Sequence, residues 1–483
     1  MKRKFLTNLT ILIILNLLVK PFWVLGIDLT VQNTVGASQY GFYFSLLSFS
    51  LLLNIIQDMG ITSFNSRNIA RDHNLLADLL PNIINLKLLL ALAYFITSLT
   101  IAYLLGYTAI QFRLLLVLLF NQFLSSLNLY LRSNISGLQL FRTDSLLSVT
   151  DRILMIVICS FLLWGNFTGT AFRIEWFVYA QTTAYFMTTL IIMAILLKHV
   201  AFSELRLDFS ITLDMLKQSY PYALLGLMMV LYYRTDSVML ERMLPDGMLQ
   251  AGIYAQGFRI LDAASMLGFL FAGILLPMFS KMIKQNQPVL QLFRFSFLLL
   301  LVPAIIGAVA LNIYRLEVME LLYREHSAES SRVFGYLMVS FVFVSCSIMS
   351  GTLLTANGNI RYLNMIAGFS VLLNITLNLI LIPRYYAQGS AMASMATQFF
   401  AAFMQMTCVM KIFNFVPQGK FILRFAVFLI ALLIIGGMAK SLAPGTVAGF
   451  VIIVTAGLVI ALLAGLISLT EIREALFISE KPK

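Results

Sequence analysis

The chain has 483 residues, 60% of them hydrophobic and 11% charged, with a formal net charge of +12. A soluble domain carries roughly 25% charged residues, so a large water-soluble fold is excluded and an all-α integral membrane protein is expected. The basic residues sit singly between apolar runs, which reads as topology signalling and not as a nucleic-acid surface.

Spans of about 20 residues can be laid along the whole chain. Met1-Lys2-Arg3-Lys4 precedes an apolar run that is too long for a cleaved leader and lacks a small-residue cleavage site, so it is expected to be an uncleaved first span. That span covers about 8–28 and is broken by Lys20-Pro21. The next five fall at about 39–58, 82–105, 110–131, 146–164 and 175–197. A polar connection, 201–218, then separates an N-terminal six-helix lobe (1–200) from a C-terminal one (219–413). The second lobe holds spans at about 219–240, 251–276, 293–313, 333–355, 360–382 and 388–412. Two extra helices, at about 420–440 and 446–469, and a tail complete region 414–483. The connection 314–332 carries three Arg and four Glu and is expected to form a short external amphipathic helix.

Fourteen spans place both termini on one side. With the N-terminus inside, 21 of the 33 basic residues fall in inner connections and flanks, Arg132 and Arg152 among them, and 8 fall outside. This is the bias expected for cytoplasmic termini. An internal repeat supports two halves. Gly36-Ala37-Ser38-Gln39-Tyr40-Gly41-Phe42-Tyr43 and Gly247-Met248-Leu249-Gln250-Ala251-Gly252-Ile253-Tyr254 both read G-x-x-Q-x-G-x-Y, 211 residues apart. Six spans per half is an even number, so the halves are expected to be parallel repeats about a pseudo-twofold axis along the membrane normal, around a central cleft.

Charges inside apolar spans are costly and mark cavities or functional sites. Lys20, Arg234 and Arg259 each sit roughly 9–12 Å below the outer boundary on the span layout. If they face one cleft, they form a cationic site suited to a phosphate or diphosphate group. Asp236 and Asp262 are candidate ion-coupling carboxylates. Arg259 and Asp262, three residues apart, also have the spacing of a self-neutralising pair. Lys87 is expected to snorkel from near its span end, Asp28 to be a solvated cap and Trp23 to lie in the interfacial belt. Cys159, Cys346 and Cys408 lie in apolar segments and read as packing residues. His73, His199 and His326 are scattered, so no metal, cofactor or catalytic group is expected.

Several stretches together resemble one family. They are Tyr233-Arg234-Thr235-Asp236-Ser237-Val238-Met239-Leu240, Ala251-Gly252-Ile253-Tyr254-Ala255 with Pro277-Met278-Phe279-Ser280, Asp58-Met59-Gly60-Ile61 leading to Arg67-Asn68-Ile69-Ala70, and Ile382-Pro383-Arg384-Tyr385-Tyr386-Ala387-Gln388-Gly389-Ser390-Ala391. The set is similar to bacterial polysaccharide or O-antigen flippases of the multidrug, oligosaccharidyl-lipid and polysaccharide exporter superfamily. The resemblance implies two six-helix bundles around a cleft and alternating-access export of an undecaprenyl-diphosphate-linked oligosaccharide across the bacterial inner membrane. It also implies a polysaccharide polymerase and a chain-length protein as partners. Related lipid II flippases use basic cleft residues, and Lys20, Arg234 and Arg259 are similar in kind. A drug exporter of the same superfamily is the main alternative. A polymerase or other membrane enzyme fits poorly, because the first external connection, 29–38, has no ionisable residue.

Overall fold

The computed structural model describes residues 15–16, 18–62, 65, 69, 75–165, 171–198, 209–415, 418–442 and 445–466. The described residues contain no β-strand. The basic start at Met1-Lys2-Arg3-Lys4, the Arg67-Asn68 stretch, His73, His199 and the core of the 201–218 connection lie outside the described residues.

The break expected at Lys20-Pro21 takes a specific form. Pro21 brings no N–H to the helix, and the backbone widens into a π-helical segment, Trp23–Asp28, before α1 (Leu29–Val35). Gly36, at φ 82°, turns the chain into α2 (Ala37–Leu52). Leu53 leaves the helical region, Asn54–Gln57 forms a 3₁₀ turn, and Met59 and Gly60 adopt φ 43° and 85°. The second span is therefore a broken helix. Irregular backbone at such a place is tolerated where protein groups satisfy it.

The first half continues through α3 (Leu75–Leu104), α4 (Ala109–Gly137), α5 (Phe141–Trp164) and α6 (Ile174–Leu196). α4 starts at a capping box, in which the Thr108 hydroxyl accepts the Gln111 N–H and Gln111 Oε1 accepts the Thr108 N–H at 2.8 Å. α7 (Phe209–Met243) begins inside the stretch expected to be a polar connection. A three-residue turn leads to α8 (Gly247–Lys284), followed by α9 (Val289–Ile313), the short α10 (Arg315–Leu322) and α11 (Ser327–Ala356). α10 is the short helix expected in 314–332. Then come α12 (Ile360–Ile412), α13 (Gly419–Leu442) and α14 (Thr446–Leu463).

Among the described residues, eleven helices are long and apolar enough to cross a membrane. One of them, α12, is two spans joined where Tyr386 leaves helical geometry (φ 54°, ψ −136°), three residues after Pro383. With the 16-residue α2 this makes thirteen of the fourteen spans read from the sequence; much of the first lies outside the described residues. Gly389 is needed at the α12 bend, because a Cβ there would lie 2.3 Å from the Leu381 carbonyl oxygen. Gly389→Ala is expected to cost about 1–3 kcal/mol through overpacking. Gly368→Ala, on the same element with open space around it, should be neutral. Thermal unfolding of the two purified variants in detergent compares them.

By contacts the chain forms two compact units, Met1–Gly252 and Ile253–Lys483. In the first, Leu80, Ile83, Tyr130, Leu131, Ile135 and Ile192 make a continuous apolar core. In the second, α13 and α14 pack on α9 through Val302, Ile305, Phe428, Leu432 and Ile453. Small residues make that packing close. A Cβ on Gly436 would lie 2.2 Å from Ile313 Cδ1, and one on Gly457 would lie 2.9 Å from Ile306 Cγ1. Lys440 of α13 donates to the Ile313 carbonyl at 2.7 Å and pairs with Glu317 of α10 at 3.2 Å.

Candidate functional site

The first unit encloses a charged column. Asn16 donates to the Ser148 hydroxyl at 3.3 Å and so pins the first span against α5. One turn further along, Lys20 is half-buried and within electrostatic reach of Arg152, Asp151 and Arg132. Arg152 lies eleven residues from one end of α5 and twelve from the other, about 17 Å from each at 1.5 Å per residue. It therefore stands at the middle of α5, not at the helix end that the inner-flank count implied.

Arg152 is built in from several sides. Its guanidinium lies 5.6 Å from the Trp23 ring centre, and Trp23 in turn stacks on Phe177 at 5.7 Å with planes 3° apart. Arg152 lies within electrostatic reach of Tyr185 and Tyr43 and sits 3.6 Å from Asp151. Trp23 is thus a buried platform, 7% exposed, and not a residue of the interfacial belt. Toward the α4–α5 corner, Arg132 pairs with Asp144 at 2.9 Å. Lys20, Arg132 and Arg152 against Asp144 and Asp151 leave an excess of positive charge. At the other end of the column, Asp28 is 2% exposed and accepts the Tyr40 hydroxyl on both oxygens, at 2.9 and 2.8 Å. It is not the solvated cap expected from its place at the span end, because the chain continues into α1 and α2 folds back over it.

Lys87 also departs from expectation. It does not snorkel, as its side chain is 2% exposed. It donates to Asp58 at 2.8 Å and to the Ser126 hydroxyl at 3.0 Å. Thr62 also donates to Asp58. The break after α2 brings Asp58 back toward α3, which gives Lys87 a partner inside the bundle.

The other expected site residues are placed as follows. Arg234, half-buried on α7, has its guanidinium 5.8 Å from the Tyr233 ring centre. Asp236, two residues on, is 1% exposed. Both belong to the first unit, as does Lys20. Arg259 and Asp262 are half-buried on one continuous helix, α8, in the second unit. Within that unit α12 carries a set of buried polar side chains that hydropathy did not bring out. Asn374 and Asn378 are both 0% exposed, with Asn378 donating to Asn374 at 3.1 Å, and Ser390, Ser394 and Thr397 are buried beyond the bend. The available signal was two asparagines one turn apart in an apolar run, Asn374-Ile375-Thr376-Leu377-Asn378.

The described residues form long apolar helices, one of which carries charged side chains at its middle. Solved structures share this fold. A lipid II flippase, MurJ, in an inward closed conformation aligns with TM-score 0.70 at 15% identity, over 97% of this chain and 99% of that one. An inward-facing multidrug resistance transporter of the MATE family, in the MOP superfamily, aligns at 0.64 and 15% identity, over 82% and 96%. A MOP superfamily transporter from Pyrococcus furiosus, described as having a binding pocket of reverse polarity, aligns at 0.55 and 15% identity, over 83% and 93%. Among curated proteins none matches the chain in sequence. Residues 5–283 match the family model described as polysaccharide biosynthesis protein. The chain belongs to that polysaccharide biosynthesis family, with the fold of the MOP superfamily transporters and flippases.

Proposed function

We propose that the chain flips an undecaprenyl-diphosphate-linked oligosaccharide repeat unit across the bacterial inner membrane by alternating access, for O-antigen, capsule or exopolysaccharide assembly. The observation that carries this reading is the cation excess around Lys20 and Arg152 in mid-span, in a member of a polysaccharide family. A diphosphate is the complementary group, because guanidinium binds phosphate oxygens in pairs and an ammonium adds a point charge. In this proposal Arg234 and Arg259 complete the anion path, both termini lie in the cytoplasm, and the lipid tail stays in the bilayer. A polymerase and a chain-length protein receive the cargo. Asp236 and Asp262 are proposed as ion-coupling groups.

The MATE relatives fit a second reading, export of a drug. Organic cations need an acidic cavity, and the excess of cations around Lys20 disfavours them.

Deleting the gene should accumulate a lipid-linked oligosaccharide identifiable by mass, and accumulation of none would refute the cargo. Arg234→Ala and Arg259→Ala should each abolish surface polymer while protein remains in the membrane. Normal polymer in both would remove them from the site. Asp236→Asn should change the dependence of export on the proton gradient, and an unchanged dependence excludes that role.

A further inference from the structure

The second unit carries its charges unevenly. Among the described residues its acids are Asp262, Glu317, Glu320, Glu325 and Glu329. The four glutamates follow the far end of α9, and Asp262 sits well before the end of α8. At 1.5 Å per residue, they lie roughly 28 Å or more from Lys281 on α8 and Arg294 on α9, measured along those helices. α13 begins with Lys420 and Arg424 and has no acid in its first turn. Attraction between exposed charges is screened over about 8–10 Å. Those carboxylates therefore do not neutralise these cations.

Packing gathers the cations at one corner. Lys281 and Lys284 are exposed in the last turn of α8, and Phe279 just before them packs on Phe293 of α9 with ring centres 6.5 Å apart. The next residue, Arg294, is exposed and holds its guanidinium 5.3 Å from the Phe421 ring centre on α13. Lys420 precedes Phe421, and Arg424 follows it by three residues, the spacing of one helix face. Arg424 Nη1 lies 3.4 Å from where a Cβ on Gly465 would stand, just past α14. The end of α8, the start of α9, the start of α13 and the end of α14 thus meet here. Around Arg424 the surface is apolar: Ile422, Leu423 and Val427 are 57%, 66% and 53% exposed.

We propose that this corner binds an anionic phospholipid, its phosphodiester held by Arg294 and Arg424 and its acyl chains laid along the apolar face of α13. Lys281, Lys284 and Lys420 add positive field. The inference depends on the helices crossing a membrane and not on the cargo. Topology signalling asks only for cations in a connection. It does not ask that one lie against an aromatic ring, or that another stand in the second turn of an apolar helix. Two other cations near helix ends have acids within the chain, Arg132 with Asp144 at 2.9 Å and Lys440 with Glu317 at 3.2 Å. At this corner the complementary anion is the lipid phosphate, which guanidinium binds through paired hydrogen bonds and which basic pockets between membrane helices recognise. Glu471 and Glu474, outside the described residues, are the competing occupants.

The test uses the full chain purified in detergent and titrated with phosphatidylglycerol, or with phosphatidylcholine of the same acyl chains. Native mass spectrometry counts the bound lipid. The parent should prefer phosphatidylglycerol by roughly 25-fold or more, at about fivefold for each of the two guanidiniums. Arg294→Gln/Arg424→Gln should remove that preference. Arg361→Gln/Lys411→Gln takes the same charge from the two ends of α12 and should keep it. Phe421→Leu should weaken phosphatidylglycerol binding with no change of charge. Equal loss in both charge variants reduces the effect to net charge and overturns the site, as does an unchanged preference in Arg294→Gln/Arg424→Gln. Displacement of the lipid by millimolar inorganic phosphate makes this a free-anion site and overturns the lipid assignment. No preference in the parent, appearing only in Glu471→Gln/Glu474→Gln, gives the corner to the tail. If the arginine variant fails to accumulate, Lys281→Gln/Lys284→Gln decides: a reduced preference supports the site and an unchanged one overturns it.

Discussion

Asp58→Ala should destabilise the protein by about 3–5 kcal/mol, the usual cost of removing one partner from a buried ion pair. It would leave the Lys87 ammonium, 2% exposed, with only the Ser126 hydroxyl and the face of Tyr130, 5.9 Å away, to replace the carboxylate. The reverse change should be milder. Asp58 is 33% exposed, so in Lys87→Met water still reaches its carboxylate. The double variant Asp58→Ala/Lys87→Met should recover most of the loss, since no charge is then stranded. Thermal unfolding of the three variants in detergent gives the cycle. Asp58→Ala as stable as the parent would show that the pair does not hold the break after α2 in place.

Arg152→Ala should reduce export by roughly 10–100-fold. The figure is what a charge-assisted hydrogen bond of about 1.5–3 kcal/mol is worth at 1.4 kcal/mol per tenfold. Arg152→Lys should recover part of it, because the charge returns without the plane that lies over Trp23. Arg132→Gln should do much less. Arg132 and Asp144 are each about one-fifth exposed, and partly solvated pairs of this kind contribute about 0–1 kcal/mol. The readout is the ratio of accumulated lipid-linked intermediate to surface polymer at matched protein levels. Full export in Arg152→Ala would assign that guanidinium to packing between Trp23 and Tyr185.

The spans were legible because lipid makes hydropathy nearly decisive, and the bend near Pro383 and Gly389 and the break at Pro21 carried their own backbone signals. What could not be read is which face of a span each polar residue occupies. Lys87 looked like a surface lysine because its acid partner lies 29 positions away and across a broken helix. Asp28 and Trp23 looked interfacial because the fold-back of α2 over them is a tertiary event. Arg152 was missed for a related reason: an Asp-Arg pair in a run of alternating polar residues reads as a helix start, and only the extension of α5 back to Phe141 puts it in mid-span. α7 begins at Phe209, inside the stretch read as a polar connection.

The way α13 and α14 are attached has an evolutionary reading. They meet the rest of the second unit chiefly along α9, through glycine notches filled by isoleucine and one lysine near the end of α13. A hairpin attached along one seam can be gained or lost by a lineage without rewriting the machinery beneath it. Such an appendage leaves selection free to tune what it touches in the bilayer, separately from the groups that carry the cargo.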